Sequence, residues 1–158
     1  MSIKVRLAEA HKDQLAMPAV KHELEQVQTG LDQADLEYQD DTVNFIFFTG
    51  RYNHEEKFMT TVCAFVNKID RPISELAGEI RMQFVDHEEA DIAVARLEFD
   101  EPFMGILEPD EAVLVHINIP VRGLTEDKVF NIADMRGRFD NVRVTYADED
   151  EIVPEDEE

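Results

Sequence analysis

The sequence predicts a mainly β protein, an immunoglobulin-like antiparallel β-sandwich with an N-terminal α-helix. Three stretches carry this prediction, because their residues are either densely apolar or alternate between apolar and polar: residues 57–67, 79–86 and 112–120. Alternation with a period of two is typical of a strand with one buried face, since successive side chains leave opposite faces of a sheet. Short strands joined by turn signals, with few helical patterns between them, favour a Greek-key sandwich.

The chain divides into three segments along its length. They are an N-terminal helical segment over residues 1–40, a β-sandwich domain over residues 43–146 and an acidic tail over residues 147–158. A chain of 158 residues is long enough to bury most of the apolar surface of one domain. The tail contains eight acidic residues and no basic residue, so we expect it to be disordered.

The N-terminal segment contains a helical pattern that begins at Pro18. Its apolar residues recur at spacings of four, three and four, which places them on one face of a helix: Val20, Leu24, Val27 and Leu31. This stripe has two interpretations, because a helix with so few apolar positions needs a surface to pack on. It packs on the protein's own sandwich, or it docks in a groove of a partner, which makes the four residues candidate partner-binding residues. Residues 3–7 alternate, and they fit either an edge strand or the start of a helix.

The strand predictions follow the apolar pattern along the rest of the chain. Residues 43–52 are dense in aromatic and β-branched side chains and predict the first sandwich strand, with a bulge or bend at Gly50. A link over residues 72–76 is expected before the strand at 78–86. Further strands are predicted at residues 92–99, 112–120 and 141–146.

Residues 125–135 fit two conformations. Thr125 can cap a short C-terminal helix whose first turn holds acidic residues, which favour a helix N-terminus. The apolar residues of the segment fit an extended strand almost as well. Both conformations stay open at this point.

The charge of the chain limits its partners. The formal net charge is −21, which disfavours nucleic acids and anionic membrane surfaces as partners. No apolar run approaches the ~18 residues of a membrane span, so we expect no membrane insertion and a cytoplasmic location. Acidic residues attract a basic surface of another protein, although the same charge also promotes solubility. Four tail residues are therefore further candidate partner-binding residues: Asp148, Glu149, Asp150 and Glu151.

No set of residues in the sequence specifies a catalytic, cofactor or metal site. None of the histidines pair at the i, i+4 spacing of a helical zinc site: His11, His22, His54, His87 and His116. Cys63 is the single cysteine and lies in an apolar strand, where a buried and unreactive thiol is expected. The sequence thus predicts a protein without catalytic activity, cofactor or metal. The alternative is an enzyme or small-ligand binder with a site built from loops.

Part of the pattern resembles a known family. In residues 64–73 (AFVNKIDRPI) an apolar strand ends in Asn67, and a polar turn leads to a proline and a β-branched residue. The pattern continues through 80–86 (IRMQFVD), 93–100 (AVARLEFD) and 105–109 (GILEP). Over residues 43–122 it resembles the SLAP domain of the S-layer assembly proteins of the accessory Sec system in Gram-positive bacteria. Glu108 stands where that domain has the first of two prolines.

The resemblance implies a cytoplasmic, non-enzymatic protein that assists export through contacts with other proteins, and it supplies no catalytic residues. The sequence as a whole therefore predicts a protein–protein interaction module, with a role as an accessory factor in protein export or S-layer assembly. The expected partner is another protein with a basic surface. A homodimer that hides the helix stripe in its interface is a further alternative.

Overall fold

A computed structural model describes residues 3–33 and 37–147 of the chain. Its strands are β1 (Lys4–Leu7), β2 (Val43–Asn53), β3 (Phe58–Asn67), β4 (Ile73–Phe84), β5 (Asp91–Ile92), β6 (Ala95–Phe99), β7 (Glu111–Arg122), β8 (Lys128–Asn131) and β9 (Met135–Tyr146). Its α-helices are α1 (Pro18–Gln33) and α2 (Glu101–Met104), and the segments Glu9–Ala16 and Ile132–Asp134 are 3-10 helices. The protein is thus mainly β with an N-terminal helix, as predicted.

The strands form two sheets. The larger sheet has the order β1-β7-β3-β2-β8, with β5 paired to the end of β7, and the smaller has the order β6-β4-β9. Strand β1 runs parallel to β7, and the other pairs of the described chain are antiparallel. The parallel pair joins Lys4 to Glu111 in register, so the edge-strand alternative for residues 3–7 is correct.

One core lies between the two sheets. It is built from side chains that point inward from the strands of both sheets. They include Met59, Cys63, Phe65, Leu76, Ile80, Met82, Val113, Val115 and Ile119. Phe65 of the larger sheet contacts the ring of Phe139 from the smaller sheet, with centroids 5.0 Å apart. Burial of large apolar side chains from both sheets is the main force that holds them together.

Helix α1 covers the outer face of the larger sheet. A second apolar cluster joins Val27 and Leu31 of the helix to small and branched residues of the sheet, which include Val5, Ala64, Val66 and Leu114. Polar contacts add to this cluster, because Gln28 accepts a hydrogen bond from Val5 N (2.8 Å) and donates one to Ile3 O (2.8 Å). Gln28 therefore takes the place of a neighbouring strand along the free edge of β1.

Three strand predictions are wrong at their boundaries. The strand predicted at 141–146 begins earlier, at Met135. Residues 72–76 do not form a link, because β4 begins at Ile73, where Ile73 and Leu107 exchange backbone hydrogen bonds. The predicted strand at 92–99 is broken between Ile92 and Ala95. Its first part leaves the smaller sheet and pairs with β7, where Ala93 N donates to Pro120 O at 3.0 Å.

Two further predictions are corrected, one on the bulge in β2 and one on the conformation of residues 125–135. The bulge in β2 falls between Phe47 and Thr49, not at Gly50. A Cβ atom at Gly50 would lie 2.6 Å from the sulfur of Met59, so this glycine allows close packing instead. Over residues 125–135 the extended alternative holds for β8, and a 3-10 helix over Ile132–Asp134 follows in place of the α-helix that Thr125 would cap.

Candidate partner-binding groove

The helix stripe packs on the protein's own sheet. Val27 and Leu31 are buried there, Leu24 packs against the same cluster, and Val20 is half-buried. This is the intramolecular interpretation of the stripe, and it leaves little of the four residues accessible to a partner. The candidate tail residues Asp148, Glu149, Asp150 and Glu151 lie outside the described residues.

A different surface is created where β4 loses its neighbour. Strand β6 pairs with β4 only from Leu76 to Ile80, and its first residue, Ala95, lies opposite Ile80. Beyond Ile80, β4 continues through Arg81–Phe84 with β9 on one side. On the other side, no strand of the described chain pairs with these four residues, since the chain before Ala95 has crossed to the larger sheet. We refer to this side of Arg81–Phe84 as the open edge of β4.

A groove of about 850 Å³ lies along this open edge. One side of it is formed by β4 and the start of β9, and the other side by the segment that crosses to the larger sheet. Its lining residues are Arg81, Met82, Gln83, Phe84, Val85, His87, Glu88, Ala90, Asp91, Ile92, Val94, Arg136, Gly137 and Arg138. The side chains of Met82 and Phe84 point into the core, as the alternation of β4 requires, whereas Arg81 and Gln83 face outward.

Three arginines give the outer rim of the groove a positive charge. Arg138 of β9 lies directly opposite Arg81 of β4, and Arg136 lies opposite Gln83. Asp140 links the first two, because its carboxylate lies 3.2 Å from Arg81 Nε and 2.8 Å from Arg138 Nε. Arg136 is exposed and forms no ion pair with the described residues. Within residues 3–33 and 37–147, one guanidinium of the rim is therefore unpaired, in a protein whose net charge is −21.

The loop between β4 and β5 shapes the opposite end of the groove. The ring of His87 packs edge-on against Phe84 and Phe130, with centroids 5.7 Å and 5.9 Å apart. Glu88 and Asp91 place carboxylates on this side. Gly123, with a φ of 98°, brings the backbone after β7 close to the loop, since a Cβ atom there would lie 2.5 Å from Glu89 O. Rings and backbone together thus fix the loop.

Two observations on the described residues concern metal binding and thiol chemistry. No three His, Cys, Asp or Glu side chains of residues 3–33 and 37–147 converge as metal ligands. Burial raises the pKa of the Cys63 thiol to about 12, so the nucleophilic thiolate does not form near neutral pH. Within the same residues, no helix has the length and apolar character that crossing a membrane requires.

The groove was not predicted from the sequence, because it depends on where the chain leaves one sheet for the other. Residues 92–99 alternate well enough to look like one strand, and an uninterrupted strand there would have covered the open edge. Arg136 and Arg138 are a partial signal, since two arginines separated by one residue place two positive charges on the same face of a strand. Searches of family models, of curated proteins and of solved structures found no match to this chain.

Proposed function

We propose that the protein is a non-catalytic protein–protein interaction module and that its partner binds in the groove beside β4. The observation that carries this proposal is the open edge of β4 with an arginine-rich rim on a strongly acidic chain. A strand edge with unpaired backbone groups is a ready site for another chain. The rim gives this site a charge opposite to that of most of the protein, which favours binding of acidic groups.

Exposed apolar side chains support a macromolecular partner. Val85 and Val94 line the groove, and 41% and 42% of their surfaces are accessible to solvent. Two valines beside a charged rim match the usual composition of a protein-binding surface, with apolar contacts surrounded by polar ones.

The immunoglobulin-like assignment, the cytoplasmic location, the role in export or S-layer assembly and the homodimer stay predictions. A basic partner for Asp148–Glu151 also stays a prediction, and it concerns a different part of the chain from the groove. The absence of catalysis is part of the proposal, and the burial of Cys63 supports it.

The proposal is tested by affinity capture from a lysate of the source cells at low and high salt. The wild-type chain is compared with the double variant Arg136→Glu/Arg138→Glu, which reverses two charges on the rim. We expect a partner that the wild-type chain retains at low salt and releases at high salt, and that the double variant does not retain.

The matched control is Arg51→Glu/Arg143→Glu, which makes the same change at two exposed arginines outside the groove. Thermal unfolding followed by circular dichroism checks that both double variants are folded. Capture of the same partner by all three proteins, or of none by any of them, would contradict the proposed function.

A further inference from the structure

We infer that the partner contributes an extended segment, with acidic residues alternating with apolar ones, which adds as a strand to the open edge of β4. This inference rests on the proposed function and specifies the chemistry of the partner. The occupied position continues the line of β6, at the point where Ala95 ends its pairing with Ile80. An antiparallel segment placed there would pair with Arg81–Phe84, the residues of β4 that β6 leaves unpaired.

The backbone of β4 supplies the first part of this site. In an antiparallel ladder, alternate residues direct both N–H and C=O to the same edge. Two of the four residues in Arg81–Phe84 therefore offer a donor and an acceptor on the open side, because the other two are directed toward β9. Backbone pairing of this kind provides affinity that does not depend on the side chains of the added segment.

The inner face of the groove selects apolar side chains. Met82 and Phe84 alternate with Arg81 and Gln83, so an added strand in register directs every second side chain toward the core. On that side it meets Ile92 and the core residues of β4. Apolar side chains gain there from removal of their surface from water, whereas charged side chains would lose their hydration.

The outer face selects carboxylates. The remaining side chains of the added strand lie on the same face as Arg81, and Arg136 and Arg138 line the groove from β9, one strand further on. Arg136 has no ion pair among the described residues, whereas Arg81 and Arg138 share Asp140 and Arg81 also pairs with Glu79 at 3.1 Å. The carboxylates of Glu88 and Asp91 also line the groove, but they belong to the loop segment on its far side. The side toward β4 and β9 is therefore the one that attracts an acidic chain.

The open edge of β4 differs from the free edge of β1 in the larger sheet. Gln28 occupies the free side of β1 with one donor and one acceptor. No described side chain does the same for Arg81–Phe84. Charge complementarity with the rim and the unfilled edge together favour a segment of another protein over a small anion, which would use the arginines alone.

The test measures binding of a synthetic hexapeptide of alternating Glu and Val, acetylated and amidated, to the full chain by isothermal titration calorimetry and by backbone-amide NMR. We expect saturable binding, with the largest amide shifts confined to β4 beyond Ile80 and to the facing segment around Ile92. The Arg136→Gln/Arg138→Gln variant should bind about fivefold to tenfold more weakly. The matched control, Arg51→Gln/Arg143→Gln, should bind as the wild-type chain does.

Two further peptides separate strand addition from charge attraction. A hexapeptide with Pro in place of the central Val keeps the carboxylates but loses a backbone donor, and we expect its affinity to fall about tenfold or more. A hexapeptide of alternating Lys and Val keeps the backbone but reverses the charge, and it should not bind measurably. Equal affinity of the Pro peptide would overturn strand addition, and equal affinity of the Lys peptide would overturn the acidic specificity.

The remaining outcomes identify other occupants. Binding that appears only after removal of the residues beyond Ala147 would assign the edge to the protein's own tail and overturn the inference. A concentration-dependent dimer that the hexapeptide dissociates would assign it to a second copy of the chain, with the same consequence. If affinity capture depends on Arg136 and Arg138 but the hexapeptide does not bind, strand addition fails while the proposed function stands.

Discussion

Asn67 shows how one buried polar residue fixes a turn. Its Nδ2 donates to Arg71 O (3.0 Å) and Leu107 O (2.9 Å), and its Oδ1 accepts from Ile69 N (2.8 Å). The side chain thus holds the polar turn after β3 and the connection before β7 in one place. In this chain these hydrogen bonds are the physical reason why the strand ends in an asparagine before a polar turn.

We expect Asn67→Ala to lower the free energy of unfolding by about 2–4 kcal/mol, because it removes three hydrogen bonds from buried or half-buried groups. Urea denaturation measures this change. The control is Asn118→Ala, which removes one exposed hydrogen bond from Thr60 (2.7 Å) and should cost about 0.5 kcal/mol or less. Equal losses in the two variants would contradict the role assigned to Asn67.

The buried thiol of Cys63 makes stability depend on pH in the alkaline range. Its pKa is raised from 9.0 to about 12 by burial, so the unfolded chain releases this proton at a lower pH than the folded chain. Stability should therefore be unaffected by Cys63 below about pH 9 and should fall from there toward pH 12, by up to about 1.4 kcal/mol per pH unit.

The measurement is urea denaturation between about pH 8 and about pH 10.5, for the wild-type chain and for Cys63→Ala. The variant is less stable at neutral pH because a cavity is left, but its curve should lack the part of the alkaline decline that the thiol causes. Parallel curves would show that Cys63 ionises as readily in the folded protein as in the unfolded chain.

Helix α1 shows what the sequence can predict at the level of an element. Its start at Pro18 and its apolar stripe were both correct, because the helical period is a local property of the chain. The choice between the two interpretations of the stripe was not local. It depends on Ala64, Val66 and Leu114, which come from strands far along the sequence and form the surface beneath the helix.

The packing of this helix gives a prediction with an internal control. We expect Leu31→Ala to lower the free energy of unfolding by about 2–4 kcal/mol, since a buried leucine leaves a cavity. Val20→Ala, on the same stripe but half-buried, should lower the free energy of unfolding by less than about 1 kcal/mol. Because alanine favours the helix at both positions, the difference between the two variants reports packing. Denaturation curves with equal losses would contradict the observed position of the helix.

The connection after β7 controls the shape of the groove. Gly123 has a left-handed backbone, and an added Cβ atom would lie 2.5 Å from Glu89 O and 2.7 Å from Ala90 Cα. We expect Gly123→Ala to lower the free energy of unfolding by about 1–3 kcal/mol and to displace the loop that bears Glu88 and Asp91. NMR shifts at His87 measure that displacement. Gly30→Ala is the control, because nothing lies within 4 Å of the new methyl group.

For the whole molecule, the fold class followed from local patterns, whereas the groove did not. Alternation in β4 and β7 identifies strands with a buried face regardless of which strands they pair with. The groove depends on pairing: Asp91–Ile92 joins β7, and residues 95–99 join β4, although the whole stretch has one continuous pattern. Pairing over long sequence separations is set by tertiary contacts that a single sequence does not display.

The net charge of −21 gives a prediction for the molecule as a whole. Carboxylates that repel one another destabilise the compact state, and salt screens this repulsion. We expect Tm to rise when sodium chloride is increased from about 10 mM to about 150 mM, where the Debye length falls from about 30 Å to about 8 Å. Each kcal/mol gained should raise Tm by about 2–4 °C.

Scanning calorimetry measures this rise, and potassium chloride at the same ionic strength should reproduce it. A Tm that falls with salt would show that attractive pairs, such as Arg6–Glu111 (3.1 Å) and Lys68–Asp110 (2.7 Å), contribute more than the overall repulsion.

The parallel pairing of β1 with β7 bears on the order in which the chain folds during synthesis. Lys4 lies beside Glu111, so β1 reaches its final position only after most of the protein has been made. Until then helix α1 lacks the part of its packing surface that β7 supplies, so the cluster around Val27 and Leu31 is incomplete. The stripe that is internal in the finished protein is therefore, on the ribosome, an apolar surface that a chaperone can recognise.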